Sequence, residues 1–282
     1  MPETQAFSAP RSAWHPPSGT LGALVAAAYH RAAADAGAAP RWRERAESAA
    51  PPPSFRDALR RCSVAVIAEV KRRSPSKGSI NATLDAPAQA RMYATGGAAA
   101  VSVLTEPDRF GGSMEDLAEV AASVALPVLR KDFIVASGQL YEARARGAAA
   151  ALLIVRALPR EALVELHDVG RTIGLDLLVE IRDESELAAA LDVGASIIGV
   201  NNRNLESLAI DPGTVGRLVP LIPAGIVAVA ESGMASAHDV AAAAHAGADA
   251  VLVGSAVSAA ADPAAAVRAL SAIPVERDVR RH

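Results

Sequence analysis

The sequence predicts an α/β protein, a single closed (β/α)8 barrel of the TIM type preceded by an N-terminal helical extension. Three observations predict it. From Val64 onward, eight short β-branched apolar runs alternate with longer Ala-, Leu- and charge-containing helical stretches. The runs are continuously apolar instead of alternating, the pattern of strands covered on both faces in a parallel sheet. A Gly-Ala pair introduces each even-numbered run: Gly97-Ala98, Gly147-Ala148, Gly194-Ala195 and Gly247-Ala248. Glycine there supplies a left-handed helix cap and a tight entry into the next strand.

The elements follow in order. Residues 1–19 carry Pro and Ser with little apolar pattern and are expected to be mobile. A helix is expected over about 21–36, with Gly37 placed to stop it, and a shorter one over 55–61 after the Pro51-Pro52-Pro53 break. Residues 1–63 hold too little apolar surface to fold alone and form an extension. The barrel is expected over 64–272, with strands at 64–71, 99–104, 127–131, 150–155, 176–181, 196–201, 226–231 and 250–254. Residues 273–282 form a C-terminal tail.

Composition narrows the class of function. The chain has 282 residues, 51% of them hydrophobic, enough for a large core, and barrels of this length fold as one domain. A net charge of -3 gives no electrostatic footprint for nucleic acid or an anionic membrane. The lone Cys62 has no disulfide partner, and no Cys/His cluster has metal-site spacing, so neither a metal nor a cofactor is expected. No apolar run approaches the roughly 18 residues of a membrane helix. The run at 21–28 could pass for a signal core, but Arg11 is the only strongly basic residue before it and His30 and Arg31 follow at once. A cytoplasmic monomer or weak homo-oligomer is expected.

The chemistry lies where the apolar runs end. In such barrels the carboxyl ends of the strands converge on one mouth that carries the catalytic side chains. Strand one ends in Glu69 and Lys71, two apart and therefore on one face. Strand three brings Lys131, strand five Glu180, strand six Asn201 and Arg203, and strand seven Glu231 and Ser232. Crowded lysines and glutamates perturb one another: a lysine near a second cation loses its proton more easily, and a shielded carboxylate keeps its proton longer. Such a site moves protons near neutral pH without a metal. Ser232-Gly233 and Gly254-Ser255 end strands seven and eight with small residues, the usual phosphate position.

Phe110, beside Gly111-Gly112, is a candidate aromatic wall, whereas Glu106 and Arg109 are assigned to a flexible loop. Arg73 and Lys77 read as solvated loop charges, and His167, His238 and His245 as surface residues of helices. A structural salt bridge with a lysine is the competing explanation for Glu180 and Glu231.

With these residues in place, the chain resembles the indole-3-glycerol-phosphate synthase family. The resemblance covers roughly 53–258 and rests on motifs in order at successive strand ends. They are Glu69-Val70-Lys71-Arg72-Arg73-Ser74-Pro75-Ser76, Ser102-Val103-Leu104-Thr105-Glu106 with Phe110-Gly111-Gly112, Leu129-Arg130-Lys131-Asp132-Phe133 and Leu178-Val179-Glu180-Ile181. Gly199-Val200-Asn201-Asn202-Arg203, Ala230-Glu231-Ser232-Gly233 and Val253-Gly254-Ser255 complete them. The resemblance implies a phosphorylated small-molecule substrate, 1-(2-carboxyphenylamino)-1-deoxyribulose 5-phosphate, and its conversion to indole-3-glycerol phosphate with loss of carbon dioxide and water. It implies Lys131 as the acid, Lys71 as a substrate contact and second proton carrier, and Glu180 as a base or a stabiliser of the cationic intermediate. It further implies Glu69 and Asn201 as orienting groups, Ser74, Gly233, Gly254 and Ser255 at the phosphate, and Arg203 and Phe110 around the anthranilate. Glu231 and Ser232 complete the substrate-facing surface, and the Ser- and Gly-containing composition of 74–78 leads to the expectation that this loop closes the pocket. The family's N-terminal helix over the mouth is represented here only by a weakly patterned Ala-rich stretch. The alternatives are a phosphoribosylanthranilate isomerase-like phosphate-binding barrel and a catalytically silent barrel kept as a binding module.

Overall fold

A computed structural model describes residues 14–76 and 78–280. Eight parallel strands close into one barrel: β1 (Ala65–Val70), β2 (Ala100–Leu104), β3 (Val128–Lys131), β4 (Ala150–Ile154), β5 (Asp176–Ile181), β6 (Ile197–Asn201), β7 (Val227–Glu231) and β8 (Ala250–Val253). Each pairs with its sequence neighbours, and β1 closes the ring by pairing Ala65 with Ala250 on β8 and Ile67 with Ala100 on β2. The closed parallel barrel expected from the continuous apolar runs is the observed one. A two-stranded ribbon, Arg73–Ser74 against Gly78–Ser79, follows β1 at the mouth.

The repeated Gly-Ala device works as its sequence implies. Gly97, Gly147, Gly194 and Gly247 have φ of 89°, 90°, 76° and 96°, which a β-carbon makes costly. Gly174, at 67°, does the same before β5, with leucine in place of alanine after it.

The extension differs from expectation in three ways. Helix α1 (Gly19–Ala34) ends earlier than 36, and Gly37 lies inside a following 3-10 turn instead of capping the helix. A second helix, α2 (Ala39–Ser48), escapes the sequence reading because Ala-Pro-Arg-Trp-Arg-Glu-Arg-Ala-Glu-Ser has no apolar stripe. It is held to the barrel through Trp42, whose ring lies 5.0 Å from the Arg146 guanidinium. The third helix is confined to Phe55–Ala58. Of the stretch expected to be mobile, 1–13 lie outside the described residues. Trp14 Nε1 donates to the Arg156 carbonyl (3.3 Å), and Ser18 N donates to Glu206 Oε1 (2.6 Å).

The tail seals the amino-terminal end of the barrel. Val64 N donates to the Ile273 carbonyl (2.8 Å), and the Arg280 guanidinium, 2% exposed, pairs with Asp249 at 2.5 Å. Arg280 also donates to the Ile226 carbonyl (2.8 Å), so one side chain joins the entries of β7 and β8.

Candidate active site

The odd strands end in charge. Glu69, Lys131, Glu180 and Glu231 come from β1, β3, β5 and β7, the alternation by which barrels fill their interior layers. The three carboxylates are 2–3% exposed, a placement tolerated only with paired charge. Lys131 Nζ sits 3.1 Å from Glu180 Oε2 and 3.1 Å from Glu231 Oε2. Lys71 Nζ lies 2.5 Å from Glu69 Oε1, as two residues on one strand face require. Asn201 Nδ2 donates to Glu180 Oε1 (2.9 Å), and its Oδ1 accepts the Arg203 backbone N–H (2.8 Å). Salt bridging, the competing explanation for Glu180 and Glu231, is thus present, but at the wall of a cavity.

The electrostatics depart from the sequence expectation at the lysine. Burial works against a charged Lys131, but Glu180, Glu231 and Glu69 outweigh it and hold the ammonium's pKa above the ordinary value. The deciding neighbours are anions, not a second cation. Glu231 moves as expected of a shielded carboxyl: burial pushes it up to about 8, against the opposing pull of Lys131 and with the repulsion of Glu180.

Small residues shape the other side of the mouth. Ser232 and Gly233 both adopt positive φ, 62° and 81°, and Asn202 Nδ2 holds the Ser232 carbonyl at 3.1 Å. A β-carbon at Gly254 would lie 2.5 Å from Glu69 Oε1 and 2.7 Å from Lys71 Nζ, so glycine is needed there for the acid–lysine pair to fit. The short helix Ser255–Ser258 begins directly after it, and its first residues, Ser255 and Ala256, line the mouth.

These residues enclose one cavity of about 310 Å³. Its lining includes Glu69, Lys71, Ser74, Phe110, Lys131, Glu180, Asn201, Arg203, Glu231, Ser232, Gly233, Gly254 and Ser255, so the structure gathers every site residue singled out in the sequence. Phe110 stands 6.3 Å from the Phe133 ring, an aromatic pair forming one wall. Arg203 Nη1 donates to the Leu208 carbonyl (2.8 Å), which fixes the guanidinium at the cavity lining.

The sequence supplies the helix over the mouth but marks none of its residues as part of the site. Thr20 and Leu24 of α1, together with Leu205, Leu208, Ile210 and Met234, complete the lining. The helix is pinned over the mouth at both ends. The Glu206 carbonyl accepts from Thr20 N (3.0 Å), and Arg31 pairs with Asp132 (3.3 Å) and Glu106 (3.6 Å).

Several peripheral assignments are corrected. Glu106 is fully buried and fixed, not part of a flexible loop: its carboxylate caps the helix Pro107–Phe110 by accepting from the N–H groups of residues 108, 109 and 110. Its signal was an acid directly before a proline. Arg109 lies exposed on that helix. Arg73 is exposed but tied to the Pro107 carbonyl at 3.0 Å, and Lys77 lies outside the described residues. His167 is buried, because with Leu163, Leu166 and Gly170 it falls on the inward stripe of the helix Arg160–Thr172, whereas His238 and His245 are exposed.

Among the described residues, no group of His, Cys, Asp and Glu is arranged to hold a metal ion, and no helix is long and apolar enough to cross a membrane.

Comparison with known proteins places the chain among relatives. The family model described as indole-3-glycerol phosphate synthase matches residues 26–270. A protein of that name from Streptomyces griseus is 56% identical over 229 residues, covering 80% of this chain and 85% of the relative. Another, from Mycobacteroides abscessus, is 49% identical over 223 residues, covering 79% and 82%. Among solved structures, 3-hexulose-6-phosphate synthase from Salmonella typhimurium matches with a TM-score of 0.61 at 16% identity, over 74% of this chain and 97% of that one. Thiamine phosphate pyrophosphorylase from Pyrococcus furiosus matches with a TM-score of 0.56, also at 16% identity, over 77% and 96%. These two likenesses concern the barrel alone.

Proposed function

The chain belongs to the indole-3-glycerol phosphate synthase family, and on that premise we propose how its mouth carries out the family's ring closure. The substrate is 1-(2-carboxyphenylamino)-1-deoxyribulose 5-phosphate. The ring carbon that bears the carboxylate attacks the ribulose carbonyl, the adduct loses carbon dioxide, and loss of water gives indole-3-glycerol phosphate. The observation that carries this reading is the Lys131 ammonium, held 3.1 Å from two buried carboxylates at the cavity wall. A fixed, fully charged donor suits protonation of the alkoxide that develops as the carbonyl is attacked.

Glu180, steadied by Asn201, stabilises the cationic intermediate and takes the ring proton in dehydration. Lys71, oriented by Glu69, lies beside Gly254 after β8, where it meets the phosphate and serves as second proton carrier. Ser74, Gly233, Gly254 and Ser255 complete the phosphate grip, with backbone N–H groups supplying much of it. Arg203 holds the anthranilate carboxylate, and Phe110 packs against the ring. Glu231 and Ser232 line the surface between these two ends.

The test is direct turnover. Purified protein given the carboxyphenylamino-deoxyribulose phosphate without added metal is expected to develop indole fluorescence. Well-folded protein that produces none would sink the reading.

A further inference from the structure

One residue at the centre of the barrel matters through what it lacks. Gly199 lies on β6, in register with Glu180 of β5 on one side and Val229 of β7 on the other. Glu231 stands two residues further along, opposite Asn201, yet its side chain reaches back to the level of Gly199. A β-carbon at Gly199 would collide with Glu231 Oε1 and lie 3.3 Å from its Cδ and 3.2 Å from Leu178 Cδ1. The backbone there does not adopt the left-handed conformation, so conformational freedom is not what glycine provides. It provides space.

We propose that Gly199 is a positioning residue for the reaction: its missing side chain opens the slot that receives the Glu231 carboxyl, and through Glu231 it aims and poises Lys131. The inference rests on the reaction proposed above.

Two observations independent of the missing β-carbon support the slot. Glu231 Oε1 is buried and makes no hydrogen bond, whereas Oε2 meets Lys131 at 3.1 Å. An anionic oxygen without a donor is costly in such a place, so the slot favours the neutral carboxyl. The charged groups facing Glu231 are Lys131 from β3, Glu180 from β5 and Glu69 from β1, the last already joined to Lys71. With Glu231 neutral, one anion fewer faces Lys131, which leaves the ammonium a more capable donor. Ionisation of Glu231 at alkaline pH adds that anion and tightens the lysine's hold on its proton. A methyl at position 199 expels the carboxyl toward the solvated mouth, which favours ionisation and turns the group away from Lys131.

Gly199→Ala is expected to lower kcat about 10-fold or more, since small misplacements of a catalytic group cost factors of this size, with KM changed far less. The alkaline limb of kcat is expected to move to lower pH and to become shallower, because the displaced carboxyl acts less on Lys131. Glu231→Gln should abolish that limb. Gly199→Ala/Glu231→Asp, with an acid one methylene shorter, should regain a substantial part of the lost rate. A folded Gly199→Ala protein with wild-type kcat and pH profile would overturn the proposal. So would a double variant no better than the single, which would locate the clash at Leu178. If Gly199→Ala does not fold, an unchanged alkaline limb in Glu231→Gln overturns it equally. Absence of turnover in the wild-type protein would sink the reaction instead. The slot is then judged by carbon-13 NMR titration of Glu231, whose pKa must fall toward the ordinary carboxylate value in Gly199→Ala.

Discussion

Lys131 is held by two buried carboxylates at the cavity wall. Its Nζ lies between Glu180 and Glu231, and its stem extends from the last residue of β3. Lys131→Ala is therefore expected to remove turnover, by roughly 10²–10⁴-fold as for loss of a positioned acid. Circular dichroism should remain that of the parent. Near-normal kcat in that variant would exclude Lys131 as the acid. Glu186 permits a cleaner titration away from the mechanism. Burial, with repulsion from Asp183, pushes its pKa from 4.5 up to about 8, and its Oε2 accepts the Arg182 N–H at 2.7 Å. The folded protein thus keeps a proton that the unfolded chain releases above pH 4.5, so this group makes stability fall as pH rises from about 4.5 to 8. Glu186→Gln retains an acceptor for Arg182 and cannot ionise. Urea titrations across that range should show a flatter stability curve and a gain at pH 8, and an unaltered slope would refute the assignment. At this scale the site was legible where a polar side chain interrupts an apolar run, as at Glu69, Glu180 and Glu231. It was illegible where a polar side chain follows a helical stripe inward, as at His167, or serves as a buried cap, as at Glu106.

Among elements, the informative contrast is between β6 and α1. The run from Ile197 to Asn201 announces itself by hydrophobicity, and its register then fixes Asn201 beside Glu231. Helix α1 is rich in alanine on every side, so its inward face, Leu21, Leu24, Val25 and Ala28, stands out only weakly from its outward one. Its place over the mouth is set by polar residues at its two ends, which no periodicity reports. Arg31 is the removable tie, because Asp132 keeps Arg130 and Thr105 as partners and Glu106 keeps its three backbone donors. Arg31→Ala is thus expected to loosen the roof without stranding a buried acid. Since Leu24 lines the cavity, KM should rise about 5- to 10-fold, equivalent to about 1 kcal/mol of binding, with kcat reduced much less. Steady-state kinetics check this, and an unchanged KM would mean that α1 is held by its amino-terminal contacts alone.

At the level of the whole molecule, the barrel separates its chemistry from its closure. The mouth collects charge at the carboxyl ends of the strands, and the opposite end is tied by residues that take no part in it. The tail showed no motif in the sequence because it acts through isolated contacts, among them the Ile273 carbonyl and the Arg280 guanidinium, and single contacts near a terminus have no pattern to read. Arg280 joins the entries of β7 and β8 by pairing with Asp249 and donating to the Ile226 carbonyl, while Asp249 in turn accepts the Ala228 N–H at 2.9 Å. Arg280→Ala removes the guanidinium that pairs with the 4%-exposed Asp249 carboxylate, and breaking a buried pair costs about 3–5 kcal/mol. For a chain of this size each kcal/mol lowers Tm by about 2–4 °C, so a drop of roughly 6–20 °C is expected by calorimetry. Arg280→Lys should recover only part of it, since an ammonium cannot serve the carboxylate and the carbonyl in the arginine's planar geometry. Below the new transition, kcat and KM should match the parent, because no atom of this cluster reaches the mouth. A large loss of turnover at full folding would show that closure and catalysis are coupled through the barrel wall, and a Tm unchanged within about 1 °C would remove Arg280 from the set of residues that hold the ring shut.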